Sequence, residues 1–357
     1  MELMEILQEA VKREASDVFI VPGLPLTFKV LGKQHRAGDM LLPADTEKIV
    51  KSIYAQSGRH SRVLEEENMD DDFSFSIASL GRFRANVFHQ RSTLAVVLRV
   101  IRFGLPNPDS LGIPKAVMDA ASLRSGLVLV TGATGSGKST TLACMIDRIN
   151  QTREGHIITM EDPIEFVHRH GKCIVTQREI GNDVTNYVHA LRSALRESPD
   201  VILLGEMRDH ETIEVAMTAA ETGVLLFSTL HTQGAANAVD RIIDIYPAGQ
   251  QGQIRLQLAM MLRTVISQQL VPTVDGGVTA VFEVMNANTA IRSLIREAKT
   301  HQIDAAIRSN TADGMVSMDD SLYRLFRSGK ITKETALMHC INPEGMERRL
   351  GAASAGF

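Results

Sequence analysis

Tryptophan is missing altogether, and aromatic residues make up only 4% of the 357. A core built from this chain therefore has to be aliphatic, with the 16 methionines suited to filling irregular gaps. Cysteine is scarce too. Cys144, Cys173 and Cys340 have no spacing that suits a metal pair or a disulfide framework, and they read as free thiols in a reducing compartment. There is no basic excess: the formal net charge is −4. That argues against a nucleic-acid machine, although a local basic groove stays open. No run of about 18 uncharged apolar residues occurs, so nothing is expected to span a membrane. Residues 1–10 show neither the basic segment nor the continuous apolar run of a signal peptide. The expectation is a cytoplasmic protein, with peripheral attachment to a membrane complex left open.

The acidic run 65–72 reads as a solvated loop, with a partner site as the alternative. Around it, residues 2–12 and 45–54 have helical spacing, and 17–21, 26–30, 72–76, 81–89 and 93–101 read as strands. Within 82–88 the side chains alternate, setting Arg82, Arg84 and Asn86 on one face. This gives a first α+β domain over 1–102. Gly104, Pro106, Pro108, Gly112 and Pro114 then mark a linker over 103–114. From 115 to 350 short apolar strands (126–130, 157–160, 201–204 and 224–229) alternate with amphipathic helices. That order indicates a parallel sheet covered on both faces. Residues 255–270 are expected as a further helix, with Leu258, Met261, Leu262 and Val265 at helical spacing. A strand at 278–285 and a helical region follow, and 351–357 reads as a disordered tail.

Gly132-Ala133-Thr134-Gly135-Ser136-Gly137-Lys138-Ser139 fits G-x-x-x-x-G-K-[ST] at every position, between a buried strand and a helix. The glycines let backbone N–H groups turn around phosphate oxygens, and the helix N-terminus adds its dipole. Lys138 is expected on the β- and γ-phosphates of ATP and Ser139 on Mg²⁺, with Thr140 assisting the phosphate contacts. Val201-Ile202-Leu203-Leu204-Gly205-Glu206 sets a carboxylate just past a strand end, where ligands of such sheets sit. Glu206 could activate water or support Mg²⁺ through a water; an exposed strand-end acid is the plain alternative. Glu161 in Glu161-Asp162-Pro163-Ile164-Glu165 is the candidate second carboxylate, and Glu165 serves either the site or an interface. His231, past the 224–229 strand, either senses the γ-phosphate or is structural. Arg82, Arg84, Arg99 and Arg102 form a basic set in the first domain. Their residue types alone favour a salt-bridged or solvated sheet face, against a role in stabilising transferred phosphate. No histidine pattern assigns a transition metal.

Taken together, the phosphate loop, Glu161-Asp162-Pro163-Ile164-Glu165-Phe166, Pro199-Asp200-Val201-Ile202-Leu203-Leu204-Gly205-Glu206-Met207-Arg208-Asp209 and Ser228-Thr229-Leu230-His231-Thr232 closely resemble the secretion ATPase superfamily of type II secretion and type IV pili. These match its Walker A, aspartate box, atypical Walker B and histidine box. The resemblance implies an α/β fold: a RecA-like P-loop NTPase domain behind a smaller N-terminal PAS-like α+β domain. It implies a homo-hexamer in which Glu206 is the catalytic glutamate and Arg84 and Arg99, with Arg82 a third, reach the nucleotide from the small domain. Within the superfamily, the chain is similar to the pilus-retraction branch. It lacks a four-cysteine insertion, and it carries Val265-Ile266-Ser267-Gln268-Gln269-Leu270, Ala290-Ile291-Arg292-Ser293-Leu294-Ile295-Arg296 and Gln177-Arg178-Glu179. Membership of that branch implies ATP and Mg²⁺ as cofactors. Its partners would be an inner-membrane pilus platform protein and a paralogous retraction ATPase, at the inner face of the cytoplasmic membrane. The alternatives are a motor for a pseudopilus or DNA-uptake filament, or an accessory ATP-binding regulator. The chain departs from the family at Val224, where Thr-Gly-His is usual, and at Asp17-Val18-Phe19, where Asp-Leu-His is usual.

Overall fold

A computed structural model describes residues 2–60, 63–64, 69–101 and 104–354. The chain divides into two compact units, Met1–Gly104 with Pro163–Val167, and Leu105–Asp162 with His168–Phe357.

The first unit runs α1 (Leu3–Lys12), β1 (Asp17–Ile20), β2 (Pro25–Val30), β3 (Lys33–Met40), α2 (Pro43–Ser57), β4 (Asp71–Ile77), β5 (Gly81–Gln90) and β6 (Thr93–Ile101). Its strands form one antiparallel sheet in the order β3-β2-β1-β6-β5-β4. Leu3, Ile6, Leu7 and Ala10 line the buried side of α1, and Ile49, Val50 and Ile53 that of α2. Both join Val18, Phe28, Phe83 and Leu98 in a single core. The alternation expected of β5 is present: Phe83, Ala85 and Val87 are buried and Arg82, Arg84 and Asn86 are not. The acidic run does not behave as one solvated loop. Glu65 to Asn68 lie outside the described residues, and Asp71 and Asp72 open β4. There each carboxylate has an arginine partner, Arg59 for Asp71 and Arg84 for Asp72. β3, which is polar and exposed, has no apolar signature in the sequence.

The second unit runs α3 (Lys115–Asp119), β7 (Gly126–Thr131), α4 (Lys138–Thr152), β8 (Gly155–Glu161), β9 (Cys173–Glu179), α5 (Tyr187–Ala194), β10 (Val201–Leu204), α6 (His210–Glu221), β11 (Leu225–Leu230), α7 (Ala235–Asp244), α8 (Ala248–Met261), β12 (Leu262–Pro272), β13 (Val278–Asn286), α9 (Thr289–Arg296), α10 (Ile303–Ser309), α11 (Met318–Arg327), α12 (Lys333–His339) and α13 (Pro343–Ser354). Its sheet has the order β13-β12-β7-β11-β10-β8-β9, parallel throughout except for β13. One face packs on residues of α5 to α10 and the other on α3 and α4. Both faces being covered explains why β7, β10 and β11 are buried at every position.

Two expectations fail here. The helix expected over 255–270 stops at Met261, and the chain continues as β12. Its apolar spacing suits a helix, but Thr264, Val265 and Ile266 are β-branched and prefer strand. Because β12 lies between β7 and β13, Val265, Ile266, Ser267 and Gln268 are all buried, and the two-residue alternation that marks a strand disappears. The expected tail from 351 is shorter, since α13 runs to Ser354; residues 355–357 lie outside the described set.

Candidate active site

At the end of β7 the chain turns directly into the loop 132–137, and α4 starts at Lys138. The seam with β12 dictates the first glycine: a Cβ on Gly132 would come within 2.2 Å of the Gln268 carbonyl oxygen. Gly137 is the N-cap of α4, in the left-handed region at φ 89, with no side chain to cap the helix. The first amides of a helix have no partner within it, and its dipole makes that end positive. Ser136 Oγ is buried with no hydrogen-bond partner among the described residues. Lys138 is buried, its Nζ donating to the carbonyl oxygens of Gly132 at 2.8 Å and Ala133 at 2.9 Å. Ala133, Thr134 and Gly135 are exposed, and Ser139 and Thr140 half-buried. The loop thus offers amides, hydroxyls and an ammonium and carries no acid of its own. That donor set fits a polyphosphate, and Ser139 fits the magnesium that accompanies it.

Parallel register brings three further loops to the same edge. Leu230 lies opposite Thr131, Leu204 opposite Ser228, and Leu204 opposite Met160. The phosphate loop, His231, Glu206 and Glu161 therefore end four successive strands, β7, β11, β10 and β8. The Glu206 carboxylate is largely buried and held at both oxygens, by Arg208 Nε at 2.8 Å and by His231 Nε2 at 3.1 Å. The hydrogen bond to Glu206, and then its charge, raise the Arg208 pKa further above its ordinary value. Glu161 Oε1 accepts from Thr159 Oγ1 at 2.7 Å and Gln177 Nε2 at 3.2 Å. Tyr187 sits beside this group, its hydroxyl 2.8 Å from where a Cβ on Gly205 would stand. Burial, followed by the charges of Asp162 and Glu206, raises its phenol pKa, so it stays a neutral donor. Glu165 is exposed, in the segment that belongs to the first unit.

Arg84 and Arg99 face each other across β5 and β6. Arg84 Nε bonds Asp72 at 2.8 Å, and Arg99 Nε bonds Asp17 at 3.1 Å. Arg82 donates to Ser76 Oγ at 3.1 Å, and Arg102 lies outside the described residues. Within one chain Arg84 and Arg99 are ion-paired on their own sheet, as their residue types alone favour. Val224 is buried just before the amino end of β11. His231 follows the carboxyl end, roughly 20 Å away at strand rise. The departure at Val224 therefore leaves the Glu206–His231 contact intact.

Three contributors have no role in a reading of the motifs. Arg208 had a signal in its spacing, two residues beyond Glu206. Tyr187 had none, because α5 brings it in from outside any motif. Gln268 was hidden by the mistaken helix.

A largely parallel α/β sheet with a glycine loop and helix after a central strand, and carboxylates at the ends of β10 and β8, defines a P-loop nucleotide-binding protein with a RecA-like domain. The Type II/IV secretion system protein family model matches residues 1–306, and the chain belongs to that family. It is 43% identical over 344 residues to the type IV pilus retraction ATPase PilT of Pseudomonas aeruginosa, covering 96% of this chain and 99% of that one. To the type IV pilus ATPase PilU of the same organism it is 40% identical, covering 95% and 88%. Among solved structures, the pilus retraction motor PilT with bound ADP superposes with a TM-score of 0.89 at 45% identity, covering 98% of this chain and 99% of that chain.

Proposed function

We propose that this chain is a cytoplasmic ATPase that drives type IV pilus retraction as a homo-hexamer. It would work at the inner face of the cytoplasmic membrane, against the pilus platform protein. The observation that carries the reading is the set of four loops on successive strands, with Glu206 clamped next to the phosphate-loop edge. The near full-length likeness to a pilus retraction ATPase supports the choice of motor.

In this reading Lys138 and the first amides of α4 bind the β- and γ-phosphates. Arg208 and His231 orient Glu206, which positions the attacking water and takes its proton. His231 connects that carboxylate to the γ-phosphate, and Glu161 is the second acid of the site. Mg²⁺, held by Ser139 and by Glu206 through water, would neutralise phosphate charge. Arg84 and Arg99 complete the site of a neighbouring subunit, giving donors on the open side of the phosphates. Phosphate release by the purified protein tests the chemistry. A deletion strain tests the role: more numerous pili with loss of twitching support retraction, and loss of pili overturns it.

The 40% identity to PilU favours a second reading, an accessory motor acting beside a paralogous retraction ATPase. Twitching that survives deletion of this gene and fails only when the paralogue is also deleted would select it.

A further inference from the structure

We infer that Gln268 is a positioning residue of the phosphate loop, holding both ends of the loop from behind without touching nucleotide. The inference rests on the reading of that loop as an ATP site. Gln268 lies on β12, next to β7, and is only 4% exposed. Its Nε2 donates to the Ser136 carbonyl at 2.7 Å, and its Oε1 accepts from Thr141 Oγ1 at 2.7 Å. One planar group thus ties the closing turn of the loop to the first turn of α4. The backbone of the same residue forms the floor at the opening turn, where Gly132 lies against its carbonyl. A Cβ on Gly137 would meet the Gln268 amide nitrogen at 2.8 Å, so this side chain adds to the demand for glycine made by the left-handed φ of 89.

The two flanking residues make their side-chain bonds elsewhere, away from the loop. Ser267 Oγ accepts from the Gly234 amide at 2.9 Å, three residues beyond His231. Gln269 donates to the His339 carbonyl at 3.0 Å and meets the His339 ring at 3.2 Å. The side-chain amide supplies a donor for Ser136 and an acceptor for Thr141 in one planar group. Methionine has similar length and does neither well. A carboxylate accepts but cannot donate. Removing the amide leaves a buried carbonyl and a buried hydroxyl to find other partners, and it unties the loop from α4. A small displacement of groups that bind phosphate is costly for both affinity and rate.

The test compares Gln268→Met, Thr141→Val and Gln269→Leu by ADP affinity, by KM and kcat for ATP, and by melting temperature. Gln268→Met is expected to weaken ADP binding and raise KM by about tenfold or more, alongside the lower melting temperature that two lost buried bonds bring. Thr141→Val, which cuts one of the two bonds, should show a smaller rise in the same direction. Gln269→Leu, on the same strand but bonded away from the loop, should leave KM unchanged. A purely structural role would lower the melting temperature and leave KM of the folded protein as it was, and that result overturns the inference. If Gln268→Met does not fold, Gln268→Glu replaces it, and native KM in both Gln268→Glu and Thr141→Val overturns the inference equally. Normal ADP affinity in Gln268→Met sinks the positioning role alone. A native chain that binds neither ADP nor ATP sinks the ATP reading and the positioning role with it.

Discussion

Both oxygens of Glu206 are engaged, one by Arg208 and the other by His231. A glutamine there keeps the shape and loses the base. Glu206→Gln is expected to retain ATP while hydrolysing it about 10²–10⁴-fold more slowly. Equilibrium nucleotide binding beside phosphate release checks this, and native turnover would remove Glu206 from the mechanism. Lys138→Ala takes the one ammonium from the loop and leaves the Gly132 and Ala133 carbonyls behind. Loss of ATP hydrolysis is expected, and a variant that releases phosphate at the native rate contradicts the assignment. Another acid acts on stability. Glu283 is buried, accepting from the Ala235 amide at 2.7 Å and the Met318 amide at 3.4 Å. Burial, with Asp304 and Asp319 nearby, pushes its pKa up to about 7 against the two amides that lower it. An acid whose pKa rises on folding holds its proton more tightly in the native state. Its contribution to stability is present below the ordinary carboxylate range and is lost as pH climbs through about 7. His168, pushed down to about 4 by burial, works oppositely at lower pH. A difference measurement separates the two. The melting temperature of Glu283→Gln minus that of the native chain should grow from about pH 5 to about pH 8. A flat difference refutes the assignment.

At the scale of elements, the strands that build the site were legible because the sequence writes them as short apolar runs ended by polar residues. β7, β10 and β11 are of this kind, and each delivers its functional residue within two positions of its end. β8 is less uniform, but Ile157, Ile158 and Met160 are apolar and Glu161 closes it. Strand order was not legible, since it depends on pairings between distant segments. That order is what sets His231 next to Glu206. β9 escaped notice because Thr176, Gln177, Arg178 and Glu179 are polar, and its pairing with β8 is a main-chain matter. β12 was misread for the opposite reason, too much burial, and Gln268 was lost with it. α7 starts at an amide bonded to buried Glu283, a long-range cap that no local pattern reveals.

For the molecule as an assembly, Arg84 and Arg99 pose an energetic question. Each is paired with an aspartate on its own sheet. Action on a neighbouring subunit's nucleotide requires them to leave Asp72 and Asp17 or to share their charge. Arg84 and Asp72 are both partly exposed, so that pair is worth about 0–1 kcal/mol, which a phosphate contact readily offsets; Asp17 is buried, and Ser16 and Lys29 stay beside it when Arg99 leaves. Mixing subunits tests the idea. Arg84→Ala, Arg99→Ala chains and Lys138→Ala chains, each inactive alone, should regain part of the ATPase activity once they exchange into common hexamers. Mixed hexamers without recovery count against action across subunits. A double-arginine variant with native activity ends the catalytic role.

The position of β12 also bears on how the protein is made. The side chain that closes the phosphate loop lies 132 residues beyond the loop's Ser136. At about 5–20 residues per second, a ribosome needs roughly 7 to 26 s to cover that distance. Throughout that interval the inner edge of β7 has no neighbour on the side where β12 will lie, and its unpaired amides and carbonyls are open to any strand. The nascent motor therefore passes through a stage in which its nucleotide pocket is half walled and its central strand is an aggregation hazard. Gln268 stands three quarters of the way along the 357 residues, so the phosphate loop goes without this tie until that far into synthesis.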